Sequence, residues 1–138
     1  FNTGKSLMKR RAIDRPMRRA TRKRILILEG EPGDALQLEE ILYDAGYMTV
    51  GPVPNASEVL RKLEVVVCDL VIVGVDGTSV ADLRSILAET VKRHIPFVAL
   101  GSIAHLDPLD VGLFAAVIDK PLAEDALLSS VLRALETV

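Results

Sequence analysis

The chain has 138 residues and a mass of 15.0 kDa, enough for one packed domain and too little for two. Hydrophobic residues make up 49% and charged residues 26%, which excludes a disordered polar chain; aromatics at 4%, with no Trp, dictate an aliphatic core. The net charge of -2 hides a split, because residues 1–24 hold ten basic residues against the single acid Asp14, whereas residues 25–138 hold seven basic and eighteen acidic residues.

Residues 1–23 form a basic arm, set apart from a domain over residues 24–138. The arm has no apolar h-region, so it does not read as a secretory signal. It is Arg-rich and acid-poor like a mitochondrial presequence, but its apolar residues are sparse. The chain opens on Phe1, and Met8 is a candidate native start, with the residues before it a candidate cloning remnant. The longest apolar runs, Ile25 to Leu28 and Leu70 to Val75, fall far short of a membrane span. Cys68 is the only cysteine, which leaves no internal disulfide and makes a reducing, cytoplasmic setting the simplest expectation.

From Arg24 onward two periods alternate. Ile25 to Leu28 is a continuous apolar run, the pattern of a strand buried on both faces. Leu38, Ile41, Leu42 and Ala45 then recur at helical spacing, and Gly46 stands where a helix ends. Tyr47 to Val50 reads as a second strand, stopped by Gly51 and Pro52. Asn55 and Glu58 have capping-box spacing, and Ala56, Val59, Leu60 and Leu63 follow on one helical face. Leu70 to Val73 is a third buried strand, and Leu83, Ile86, Leu87 and Thr90 mark a third helix. Phe97 to Leu100 is a fourth strand, and Asp107 with Pro108 opens a short helix. Phe114 to Ile118 is a fifth strand, and Leu128, Val131, Leu132 and Leu135 mark the last helix.

Strict alternation of buried strands with amphipathic helices implies an α/β fold, a five-stranded parallel sheet covered on both faces. Right-handed crossovers leave few topologies, and the expected one is a flavodoxin-like doubly wound (βα)5 domain with strand order 2-1-3-4-5. In such sheets function sits at the carboxyl ends of the strands. Those ends fall at Glu29 to Glu31, Gly74 to Asp76, Gly101 and Ser102, and Asp119 to Pro121.

Three stretches, in order and on the right elements, carry a family resemblance: Arg24 to Pro32 (RILILEGEP), Leu38 to Gly46 (LEEILYDAG) and Asp119 to Pro121 (DKP). The chain resembles the CheY-like receiver domains of two-component response regulators over about residues 24–137. The resemblance implies an aspartate at the end of the third strand that takes a phosphoryl group from a kinase. It also implies two acids after the first strand that hold Mg²⁺, a Ser/Thr after the fourth, and a Lys-Pro after the fifth. Here Glu29 matches the first acid, but Gly30 stands at the second, Gly74 at the acceptor and Gly101 at the hydroxyl position, next to Ser102. Lys120 and Pro121 are retained, and Val117 replaces the aromatic that often reports the switch. A glycine side chain neither accepts a phosphoryl group nor ligates a metal. The resemblance therefore implies a pseudo-receiver with a degenerate pocket (Glu29, Gly30, Glu31, Gly74, Asp76, Gly101, Ser102, Lys120, Pro121), no catalytic residue, no cofactor and no Mg²⁺.

The expected function is a phosphorylation-independent interaction module in bacterial two-component or phosphorelay signalling. Its implied partner is a histidine kinase, another regulator or a second copy, bound through the fourth helix, fifth strand and fifth helix. One alternative is a displaced acceptor at Asp76 with Mg²⁺-dependent phosphotransfer; the blander reading is a solvated loop residue. Lys120 reads as the structural partner of Glu29 or Glu31 in the emptied pocket. Cys68 reads as a small buried hydrophobe, His94 as a helix-end residue and His105 as a loop residue. Gly30 to Gly33 lacks the spacing and the Lys-Ser/Thr of a phosphate loop, and no Ser/His/Asp triad is indicated. The basic arm could release counterions from nucleic acid, but its one aromatic, Phe1, gives no stacking platform; docking on its own acidic body is the competing expectation.

Overall fold

A strand that is apolar at every position has no face to offer water, so it must lie mid-sheet with helices on both sides. The computed structural model describes residues 22–136 and has this arrangement. Strands β1 (Arg24–Leu28), β2 (Met48–Val53), β3 (Leu70–Gly74), β4 (Phe97–Leu100) and β5 (Ala116–Ile118) form one parallel sheet. Helices α1 (Pro32–Asp44), α2 (Ala56–Val65), α3 (Val80–Lys92), α4 (Pro108–Val111) and α5 (Glu124–Glu136) alternate with them. The strand order is 2-1-3-4-5, so the expected doubly wound fold is the observed one. The arm lies outside the described residues except for Arg22 and Lys23.

The two-residue period of the strands splits the core into two layers. Ile25, Ile27 and Ile72 face α1 and α5, where Leu38, Leu42 and Leu127 cover them. Leu26, Val71 and Val73 face the other way, against Val59 of α2 and Ile86 of α3. Burying both faces of β1 and β3 fixes their register, Ile25 opposite Leu70 through Leu28 opposite Val73. That register brings the end of β1 level with the end of β3.

The helix starts follow the sequence signals. Asn55 Oδ1 accepts from the Glu58 N–H at 3.0 Å, and Asp107 Oδ1 accepts from the Leu109 N–H at 2.9 Å. The capping box of α2 is only half made, because the Glu58 carboxylate pairs with Arg61 at 2.9 Å. Two expectations need correction. The second strand does not stop at Val50 but continues through Gly51 and Pro52 to Val53. Gly51 at φ +97° shifts the register opposite Leu26 and Leu28, and an edge strand tolerates a proline there. The fifth strand begins at Ala116, not Phe114, because the Phe114 N–H still donates to Val111 O at 3.0 Å in the turn that follows α4, while its ring stacks on Phe97 at 4.8 Å.

The ends of α1 and α3 use one motif with different residues. After α1, Gly46 sits at φ +97°, with the Tyr47 N–H donating to Leu42 O and the Gly46 N–H to Tyr43 O, both at 3.0 Å. After α3, His94 sits at φ +58°, with the Ile95 N–H donating to Thr90 O at 2.9 Å and the His94 N–H to Val91 O at 3.2 Å. An L-residue is strained in this left-handed conformation and glycine is not. Replacing His94→Gly is therefore expected to stabilise the domain by about 0.5–1 kcal/mol, after the larger unfolded-state entropy of glycine is subtracted. A rise in the urea unfolding midpoint at unchanged slope checks this.

Candidate functional site

The sheet order reverses between β1 and β3, and in a doubly wound sheet this opens a crevice at their carboxyl ends. Glu29 follows β1 and Gly74 ends β3, so the two flank the crevice. Only 4% of the Glu29 side chain is exposed. A carboxylate so buried needs partners. Its Oε2 accepts from the Glu31 N–H at 2.8 Å. Its Oε1 lies 3.0 Å from Lys120 Nζ, as an ion pair without aligned hydrogen-bond geometry. Lys120 extends from the loop after β5 and also meets Asp34 Oδ2, at 2.8 Å, in the first turn of α1. Burial works against the Lys120 charge, but Asp34 and Glu29 outweigh it and hold the ammonium above its ordinary pKa.

Three glycines border this cluster, each in a different way. A Cβ on Gly74 would collide with Glu29 Oε1 and sit 2.9 Å from its Cδ. The bare backbone at 74 is thus what lets the Glu29 carboxylate lie over the end of β3. Gly101 has φ +119°, and a Cβ there would stand 2.7 Å from Asp76 Oδ2. A serine or threonine at 101 would be strained by its own backbone and crowded by Asp76. Gly30 has nothing within 4 Å of a Cβ, so no packing demands a glycine there.

Other residues singled out from the sequence take ordinary places. Asp76 is exposed in the β3–α3 loop and accepts weakly from the Ser102 N–H at 3.4 Å. Ser102 is exposed. Thr78 Oγ1 donates to Gly74 O at 2.9 Å and ties that loop back to the strand. Pro121 follows Lys120 through a cis peptide bond. His94 ends α3, and His105 is exposed in a turn. Cys68 is buried, and burial followed by the nearby Asp69 pushes its thiol pKa up, away from nucleophile chemistry.

The expected partners of Lys120 need one correction. Glu29 is a partner and Glu31 is not. Glu31 is the N-cap of α1, its Oε1 accepting from the Asp34 N–H at 2.7 Å. A helix start has free N–H groups that need acceptors, and Glu31 is placed to serve one. The second carboxylate on Lys120 is Asp34, which the sequence reading passed over. Its position three residues beyond a capping acid, in the turn that faces the strand ends, was the available signal.

The donor set does not fit a Mg²⁺ ion, which takes several oxygen ligands in near-octahedral geometry. The Glu29 and Asp34 carboxylates share the Lys120 ammonium. Gly30 and Gly74 offer no side-chain oxygen. Among the described residues, no group of three or more His, Cys, Asp or Glu is arranged around a common point. Among them, too, no helix is long and apolar enough to cross a membrane.

No family model and no curated protein matches the chain. Solved structures do. The signal receiver domain of a signal transduction histidine kinase from Syntrophus aciditrophicus is 31% identical, with a TM-score of 0.67, over 84% of this chain and 92% of that one. This chain belongs to the receiver-domain family. The BeF3-activated conformation of SdrG from Pseudomonas melonis Fr1 is 27% identical over 81% of this chain and 95% of that one, with a TM-score of 0.68. A CheY-like receiver domain from Methylobacillus flagellatus shares the fold at 23% identity and a TM-score of 0.69, over 83% of this chain and 98% of that one.

In this receiver domain Lys120 neutralises a buried carboxylate, so removing its charge is costly. Lys120→Met is expected to destabilise the domain by about 2–4 kcal/mol, the range for stranding a buried charge reduced for the second contact at partly exposed Asp34. Because the folded state raises the Lys120 pKa, its stabilising contribution is complete below the unfolded-state lysine value of about 10.4 and fades as pH climbs through the folded value. The stability gap between the parent protein and Lys120→Met should therefore stay flat through neutral pH and narrow above about pH 10. Urea unfolding across pH 6–11 measures it.

Proposed function

We propose that this receiver domain is a phosphorylation-independent protein-interaction module in two-component or phosphorelay signalling. The observation that carries the reading is the Glu29 carboxylate lying over Gly74 and paired with Lys120. Phosphoryl transfer to a receiver needs an acceptor, oxygen ligands for Mg²⁺ and groups that meet the new charge. By the family resemblance the acceptor position is Gly74, the second acidic position Gly30 and the hydroxyl position Gly101. The lysine that remains is already held between two carboxylates. In this reading Lys120 neutralises the buried Glu29 carboxylate, and the pocket needs neither Mg²⁺ nor any other cofactor, performs no catalysis and keeps one state. The reading carries with it a bacterial, cytoplasmic setting.

A module with one state acts by presenting a constant surface. The face made by α4, β5 and α5 supports that role. Leu109 is 81% exposed, Leu113 56% and Leu132 52%, and Val117 of β5 is also exposed. Large exposed apolar side chains on these elements favour a protein partner. Arg84 of α3 fixes the short α4 from below, its Nε 2.8 Å from Asp110 Oδ2 and its Nη2 3.4 Å from Asp107 Oδ2. A histidine kinase, another regulator or a second copy of this chain would fit such a face.

Asp76 keeps a second reading in view, since it is exposed and stands beside Gly101 and Ser102. One experiment decides between the two. The protein is incubated with Mg²⁺ and acetyl phosphate and examined by intact-mass spectrometry. The expected result is no added phosphoryl group. A stoichiometric, hydroxylamine-labile adduct mapped to Asp76 would establish a displaced acceptor and overturn the proposal.

A further inference from the structure

The outer face of α1 carries a stripe that nothing in the described fold covers. Leu36 is 57% exposed and Tyr43 66% exposed. They lie seven residues apart, so they share one face of the helix. Glu39, Glu40 and Asp44 stand along the same stripe, and Thr49 of edge strand β2 closes one side of an open groove. The stripe is therefore apolar at two points and acidic between and beyond them. The chain enters the domain beside it. The Arg22 guanidinium lies over the Tyr43 ring, 6.0 Å from its centroid, within reach of a cation–π contact.

The sequence upstream of Arg22 has the complementary character. Residues 1–21 hold seven basic residues and one acid, with Arg15, Arg18 and Arg19 nearest the domain. We propose that the basic arm, residues 1–21, docks on the outer face of α1, with its arginines against the acidic stripe of Glu39, Glu40 and Asp44, continuing the contact that Arg22 makes with Tyr43. The spacing suits this. Three to four extended residues span about 10–13 Å, and the two turns from Tyr43 to Leu36 rise about 11 Å. Tethering suits it too, because a segment attached at Arg22 meets α1 at an effective concentration in the millimolar range. Several weak surface ion pairs then act together where each alone would contribute little. The arm in this position shields α1 from any other partner, and salt releases it.

The test is limited trypsin digestion of the full chain at low salt, following cleavage after Arg18 and Arg19 by mass spectrometry. The comparison protein is the double variant Glu40→Lys and Asp44→Lys, whose two positions are exposed and outside the core. Cleavage is expected to be about tenfold faster in the double variant, as for two to three lost ion pairs. In the parent protein it should speed up by a similar factor in 0.5 M NaCl, where screening is nearly complete. The parent rate should not depend on protein concentration. Equal rates in the two proteins overturn the proposal. Protection that grows with concentration makes a second copy the occupant and also overturns it. If the two rates are equal and a short DNA duplex slows both, the arm belongs to nucleic acid instead. None of these outcomes depends on whether the domain is phosphorylated.

Discussion

A carboxylate buried at the mouth of a parallel sheet has to be neutralised where it stands, and Glu29 meets that requirement with Lys120. Coulomb attraction in a poorly solvated site is strong, but so is the desolvation cost of each ion, and the pair holds only if neither loses its partner. The rest of the crevice is arranged around this condition. Lys120 reaches it from the loop after β5 and Asp34 from the first turn of α1, so one ion cluster ties the β1–α1 segment to the loop after β5, with β3 and β4 between them in the sheet. The Glu31 N–H takes the remaining Glu29 oxygen, and Glu31 in turn caps α1. The helix start and the pocket floor are thereby one hydrogen-bonded unit.

The three glycines of the crevice follow from different physical causes. Gly74 makes room for the Glu29 carboxylate, so the two residues form a matched pair. Gly101 is required by a left-handed backbone and by the crowding of Asp76. Gly30 answers to no steric demand. Restoring a side chain at one position would not recover the arrangement that the family resemblance implies. An acid at 74 would meet Glu29, and a hydroxyl at 101 would meet both strain and Asp76. Glu29 and Gly74, and Asp76 and Gly101, are thus coupled pairs, in which a side chain at either glycine displaces a carboxylate.

Most of the fold was legible in the sequence, because continuous apolar runs such as Ile25 to Leu28 have only one place to go in an α/β domain. Helix ends were legible where one residue carries the signal, as at Gly46 and Asn55. Edges were less so. Gly51 and Pro52 read locally as a stop, yet an edge strand lacks a neighbour on one side and can carry both. Phe114 reads locally as strand, and its N–H bond back to Val111 O holds it in the turn after α4. In the site, Glu29 and Lys120 were legible as partners through their family positions, whereas Glu31 was offered as an alternative partner and Asp34 had no role. Both are acids within reach of one lysine. Which of them caps the helix and which pairs with the cation depends on the angle at which α1 leaves the strand, and pattern does not encode that angle.

The claim that the Glu29 carboxylate occupies the space of a side chain at position 74 is open to a direct measurement. Gly74→Ala adds one Cβ and nothing else, and a double-mutant cycle with Glu29→Ala isolates the coupling. The account predicts that Gly74→Ala costs about 1–2 kcal/mol in the parent protein, by forcing Glu29 off Lys120, and almost nothing in the Glu29→Ala background. The same cost in both backgrounds, read from urea unfolding at neutral pH, would contradict it.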